Sequence, residues 1–256
     1  MPGSLPADIA DPPATLSGKG SLPAGTAPTY VPLLRGGRRH WDLPGAGEVL
    51  DPHWDPAMNS YRFTRNGQNF YRAWSPELAW HVCSQVRGYC SPAQGRALYE
   101  LAAAATGPIA EIGSAEGLSA CWLGLAARDT GQPLTCVDTF TGPLYHQWRV
   151  NIRDRFDATM AYAGLSPRVL AMPSQDAASA YPGGPLHLLY IDGSHSYAAA
   201  RADWHAWSQR LAPGAVVCFD DCTGVYPGIM RLQAEIWHAG RAELLGRTGA
   251  MLAWRL

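Results

Sequence analysis

Two short stretches hold the residues best suited to chemistry: Ile191-Asp192-Gly193-Ser194-His195 and Phe219-Asp220-Asp221. Each closes an apolar run, His187 to Ile191 in the first case and Ala215 to Phe219 in the second. Apolar runs of that length, separated by a helix-like segment, read as buried parallel strands. Open parallel sheets bind ligands beyond the carboxyl ends of their strands. Three carboxylates and one imidazole are therefore expected on one functional edge. Oxygen donors of this kind suit a hard divalent cation, and the imidazole places a base beside it.

Each residue also has a plainer role. Asp192 could be a turn carboxylate capping a helix that starts near Ser196. Asp220 and Asp221 point to opposite sides of an extended strand, so both can reach one ion only if the chain bends there. The following Cys222-Thr223-Gly224 permits such a bend. His195 must be neutral to accept a proton near pH 7. His146 is the rival base or an acceptor contact, while His187 falls at a strand start, the wrong end of the sheet. Tyr145, Trp148 and Tyr226 lie in loops after strand ends and are candidates for the acceptor pocket.

The elements that must position these groups alternate along the chain. Strands are expected at 108–113, 134–139, 168–172, 187–192 and 215–220, with helical segments at 117–128 and 197–210. That alternation argues for an α/β domain with a parallel sheet covered on both faces. Runs 242–247 and 251–256 are separated by Thr248-Gly249-Ala250, too short for a parallel crossover, and should form an antiparallel hairpin. Upstream, Ser75-Pro76-Glu77 and the capping-box pattern Ser91-Pro92-Ala93-Gln94 each mark a helix start. The expected organisation is a Pro/Gly-rich, irregular N-terminal arm over 1–60, a helical cap or lid over 61–106 and a ligand-binding domain over 107–256. Trp41, Trp54, Trp74 and Trp148 fall outside the expected core elements; packing the extension onto the domain is their first reading, lining a pocket for a sugar or aromatic ring the second.

Ile109-Ala110-Glu111-Ile112-Gly113-Ser114-Ala115-Glu116-Gly117 reads as a strand, a glycine turn and a helix start. A nicotinamide site would favour G-x-G-x-x-G, with the pyrophosphate on the helix amides. Here the middle glycine is missing, and Glu111 and Glu116 would sit poorly against a diphosphate. They suit a phosphate-free ligand with positive charge. S-adenosylmethionine, with its sulfonium, ammonium and ribose diol, fits that description. Asp138 ends the next strand about 20 residues after the loop, where an acidic residue can bind a ribose diol.

The succession EIGSAEG, VDTFTG, LLYIDGSHSY, LAPGAVVCFDD resembles the S-adenosylmethionine-dependent methyltransferases of the Rossmann-like class. Within them it is most similar to the metal-dependent branch that includes macrocin, novobiocin-sugar and mycinamicin O-methyltransferases and the cephalosporin hydroxylase-like proteins. The resemblance spans roughly residues 75–256 and leaves the first 60 uncovered. It implies a mostly parallel, seven-stranded sheet whose last strand is antiparallel. It implies a cofactor loop of Glu111, Gly113, Ser114 and Gly117, with Asp138 on the ribose and Ser174 and Gln175 near the adenine. It also implies Mg2+ held by Asp192, Asp220 and Asp221, with His195 as general base and Asp192 serving catalysis and the cofactor as well. The acceptor would be a small molecule, glycosylated in that branch, and the chain could form a homo-oligomer.

Bulk properties narrow the alternatives. The 256 residues, 47% hydrophobic, allow a sizeable core. A net charge of -1 gives no footprint for nucleic acid or an anionic membrane. No apolar run approaches the ~20 residues of a membrane span, and no secretory signal is evident. The six cysteines form no C-x-x-C pair, which argues against structural zinc and for a reducing, cytoplasmic setting. A nicotinamide-type oxidoreductase, a non-catalytic module on the same fold and a hydroxylase-like protein are the competing readings.

Overall fold

The computed structural model describes residues 30–32, 39–41, 53–55, 60–65, 68–73, 76–141 and 151–256. Strands β1 (Tyr30–Pro32) and β2 (Arg39–Trp41) pair antiparallel. Strands β3 (His53–Asp55), β4 (Ser60–Arg65) and β5 (Gln68–Ala73) form a second small antiparallel sheet. Helices α1 (Pro76–Ser84) and α2 (Pro92–Ala104) follow, then β6 (Ile109–Ile112), α3 (Leu118–Thr130) and β7 (Leu134–Val137). The chain continues through α4 (Ile152–Ala163), β8 (Arg168–Leu170), α5 (Ser174–Ala180), β9 (Leu186–Ile191), α6 (Tyr197–Ser208) and β10 (Leu211–Phe219). It ends with α7 (Pro227–His238), β11 (Glu243–Thr248) and β12 (Met251–Arg255).

Seven strands form the main sheet in the order β11-β12-β10-β9-β6-β7-β8. The pairs from β10 through β9, β6 and β7 to β8 are parallel. The last strand, β12, runs antiparallel to both of its neighbours, β10 and β11. This is the expected α/β sheet with its reversed final strand, and the C-terminal hairpin is where the short connection required it.

Alternation along each strand divides the core in two. Ile109, Leu188, Tyr190 and Cys218 face one layer with residues of α1 to α4, including Leu98, Leu123 and Phe156. Ala110, Ile112, Leu189, Ile191, Val217 and Phe219 face the other, with Ala177, Trp207 and Leu232 from α5, α6 and α7. Both faces of the central strands are covered, which explains why their sequences read as continuous apolar runs.

The N-terminal third departs from expectation. The arm over 1–60 is not irregular throughout, since it contributes β1, β2 and β3. Region 61–106 is not helical throughout either: β4 and β5 precede its two helices. Tyr61, Phe63, Phe70 and Tyr71 supply the aromatic residues strands favour, and Asn66-Gly67 between the paired Arg65 and Gln68 is the dipeptide preferred in two-residue hairpins. Helices α1 and α2 bury Leu78, Ala79, Val82, Leu98 and Ala102 in the same core as β6, so they belong to the domain's packing. Trp54 packs as anticipated. It lies against Gly164 and under the Arg128 guanidinium, 5.0 Å from the ring centre. Trp74 and Trp148 lie outside the described residues.

Candidate functional site

The ladder extends past the strand ends and brings three loops side by side. Gly113 N–H donates to Val137 O at 2.8 Å, Asp192 N–H to Ile112 O at 2.8 Å, and Asp220 N–H to Ile191 O at 3.0 Å. The loops after β6, β9 and β10 therefore start in register. Gly113 has φ +91, and a Cβ there would stand 1.9 Å from the Asp192 carbonyl oxygen. Only glycine permits that conformation and that approach together.

The loop from Gly113 to Gly117 is organised by Asp138. One oxygen of Asp138 accepts Ala115 N–H at 2.8 Å and the other accepts Phe140 N–H at 2.7 Å. A carboxylate offers about four lone-pair positions, so each oxygen retains one for a hydroxyl donor. Glu111 is fully buried on β6, and among the described residues neither of its oxygens has a well-formed hydrogen bond, nor does the buried Ser114 hydroxyl. Burial raises the Glu111 carboxyl to about 7; Ser114 and Ser119 lie near enough to offset part of that rise without well-aligned bonds. An unpartnered buried carboxylate beside a glycine turn fits a cofactor that brings positive charge. Glu116 has no share in this. It accepts from Arg155 Nη1 at 2.8 Å, and its backbone oxygen accepts from Thr159 Oγ1 at 2.7 Å.

Ser174 and Gln175 open α5 beside the same edge, after β8. Ser174 Oγ accepts from Trp207 Nε1 at 2.9 Å, and Gln175 Nε2 donates to the buried Asp203 at 2.8 Å. An ionised carboxylate can only accept, so Gln175 turns its amide nitrogen to Asp203 and its amide oxygen away.

Beyond β9 and β10, Asp192, His195 and Asp221 each offer a ligand atom within 4.8 Å of the others. His195 Nε2 lies 2.5 Å from Asp221 Oδ2, and the His195 ring stacks on Tyr226 with centroids 4.3 Å apart. Asp221 has φ 57, which supplies the bend that strand geometry demanded. Asp220 lies outside that group. Its oxygens accept from Gln94 Nε2 at 2.6 Å, from Tyr190 Oη at 2.8 Å and from Asp221 N–H at 2.8 Å. The structure thus brings Asp192, Asp221 and His195 together and holds Asp220 just behind them. Tyr145, His146 and Trp148 lie outside the described residues.

Charge is concentrated here. Burial first, then Asp220, Asp221 and Glu111, push the Asp192 carboxyl well up. Burial likewise raises Asp221, with Asp220 adding to the effect and His195 opposing it. The two carboxylates supply oxygen donors that fit a hard divalent cation, whose charge would relieve that repulsion, with the imidazole beside them. Tyr190 belongs to the same network. Burial, Asp192 and Asp220 push its phenol well up, so it keeps its proton and donates. Tyr190 was legible as a hydroxyl in an aliphatic strand, two residues before Asp192 and so on the same face. Gln94 was legible only as a helix cap.

Residues 110–222 match the family described as a methyltransferase domain. Among solved structures, the O-methyltransferase NovP superposes with TM-score 0.55 at 16% identity, covering 63% of this chain and 78% of that one. TomG from Streptomyces achromogenes, an O-methyltransferase involved in tomaymycin synthesis and solved with S-adenosylmethionine, gives 0.50 at 18% identity, covering 72% and 90%. An O-methyltransferase from Bacillus cereus, solved with S-adenosylhomocysteine, gives 0.50 at 20% identity, covering 70% and 90%. This chain therefore carries a segment that matches a methyltransferase domain, on the Rossmann-like fold of these O-methyltransferases.

Proposed function

We propose that this protein is an S-adenosylmethionine-dependent O-methyltransferase acting on a hydroxyl of a small molecule, with Mg2+ as its cation. The observation that carries this reading is the Asp192, His195 and Asp221 cluster set directly beside the Gly113 turn. Glu111 and the 113–117 loop would receive the charged amino-acid end of the cofactor, Asp138 the ribose hydroxyls, and Ser174 and Gln175 the adenine.

In the reaction, an acceptor oxygen attacks the sulfonium methyl in line. The O–CH3 bond forms as the S–CH3 bond breaks, and S-adenosylhomocysteine leaves. The electrophile is already activated, so the chain's task is mainly positioning and proton removal. Asp221 accepts from His195 Nε2, which leaves Nδ1 as the basic nitrogen that takes the hydroxyl proton. Tyr226 holds the ring plane by stacking. Asp192 and Asp221 would hold the cation, which when bound acidifies the acceptor hydroxyl and orients a neighbouring oxygen.

Vicinal hydroxyls on the sugar of a glycosylated natural product match this chemistry and the resembled branch. Tyr145, His146, Trp148 and Tyr226 are the residues we assign to the acceptor side. The six free thiols agree with a reducing compartment such as the cytoplasm, and no helix among the described residues is long and apolar enough to cross a membrane. The test is Asp221→Ala: metal-stimulated turnover is expected to vanish while affinity for S-adenosylhomocysteine stays close to that of wild type, because the 113–117 loop and Asp138 are left intact. Unchanged turnover would remove the cation from the account.

A further inference from the structure

The cap of helix α2 reaches into the carboxylate cluster. Ser91 Oγ donates to Gln94 Oε1 at 2.6 Å, and Ser91 N–H points to the same oxygen at 3.2 Å. Gln94 N–H closes the box on Ser91 Oγ at 3.3 Å. The box therefore uses the amide oxygen of Gln94 and turns its nitrogen outward. That nitrogen donates to Asp220 Oδ1 at 2.6 Å, across 126 residues of chain. Gln94 is only 6% exposed, so water competes poorly for the bond. The other Asp220 oxygen takes the Tyr190 phenol, which also lies 3.3 Å from Asp192 Oδ2. Asp220 in turn accepts the backbone N–H of Asp221, whose φ of 57 is unfavourable for a residue with a side chain.

We propose that Gln94 and Tyr190 are positioning residues of the cation site: they fix Asp220, and Asp220 holds Asp221 in the left-handed turn that aims its carboxylate at Asp192 and His195. The inference rests on the cation reading above. Partners behind metal ligands orient those ligands, and their loss typically weakens metal binding about 10- to 100-fold.

The test compares Mn2+ binding, read by electron paramagnetic resonance on the full chain, in wild type, Gln94→Met, Tyr190→Phe and Ser91→Ala. Gln94→Met and Ser91→Ala both break the capping box, but only the first removes the bond to Asp220. Tyr190→Phe keeps the ring and carries the test alone if Gln94→Met fails to fold. Gln94→Met and Tyr190→Phe are expected to weaken Mn2+ binding about tenfold or more, with S-adenosylhomocysteine affinity little changed. Ser91→Ala is expected to bind Mn2+ as wild type does. Equal weakening in Gln94→Met and Ser91→Ala, or wild-type binding in Tyr190→Phe, would overturn the proposal while leaving the cation reading intact. A wild type that binds no Mn2+ would overturn the cation reading and this inference with it.

Discussion

Glu111 carries an electrostatic cost in the ligand-free fold. Its carboxyl rises from 4.5 to about 7, chiefly by burial. A raised carboxylate contributes stability that is fully present below its unfolded value and is lost as pH climbs through the folded one. The shift corresponds to about 3 kcal/mol at most. Glu111→Gln should therefore stabilise the ligand-free protein at pH 8 and have little effect near pH 4, as urea melts at both values would show. The same variant should bind S-adenosylhomocysteine more weakly. A variant that is no more stable at pH 8 would mean that Glu111 is not under strain. Gly113→Ala should be destabilising by roughly 1–3 kcal/mol from its backbone conformation alone, and more because its Cβ would strike the Asp192 carbonyl. Residues such as Asp192 and Gly113 were legible because strand ends and turns have strong sequence signals. The turning of Asp220 toward Gln94 was not, because it depends on side-chain direction and on a contact 126 residues away.

At the scale of elements, local chemistry gave clear instructions where it was read. Ser91 caps α2 with the full box its sequence predicted. Ser91→Ala should cost about 1 kcal/mol, measurable as a lower urea midpoint with an unchanged slope. The final hairpin followed from loop length alone, since three residues cannot make a parallel crossover. Strands β4 and β5 were equally readable through their aromatic content and the Asn66-Gly67 dipeptide. The capping signals at Ser75 and Ser91, just downstream, are stronger and mask them. The short strands β1 and β2 carry no such signal, since three residues of pairing lie below any usable periodicity.

For the whole molecule, one sheet separates two cores, and each central strand serves both. Trp254 is fully buried on β12, with its Nε1–H donating to Gln233 Oε1 at 2.7 Å. Trp254→Ala should cost about 3–5 kcal/mol, enough to lower the melting temperature by roughly 10 °C in a domain of this size. The loops of the candidate site start at points that the sheet fixes, so on the proposed reading the cofactor side should be largely formed before ligand arrives. The measurement that bears most directly on the account is a calorimetric titration of S-adenosylmethionine and S-adenosylhomocysteine, each with and without Mg2+. We expect micromolar binding of both, one molecule per chain, with cofactor affinity nearly independent of the cation. Absence of binding by either, in protein shown to be folded, would contradict the methyltransferase assignment.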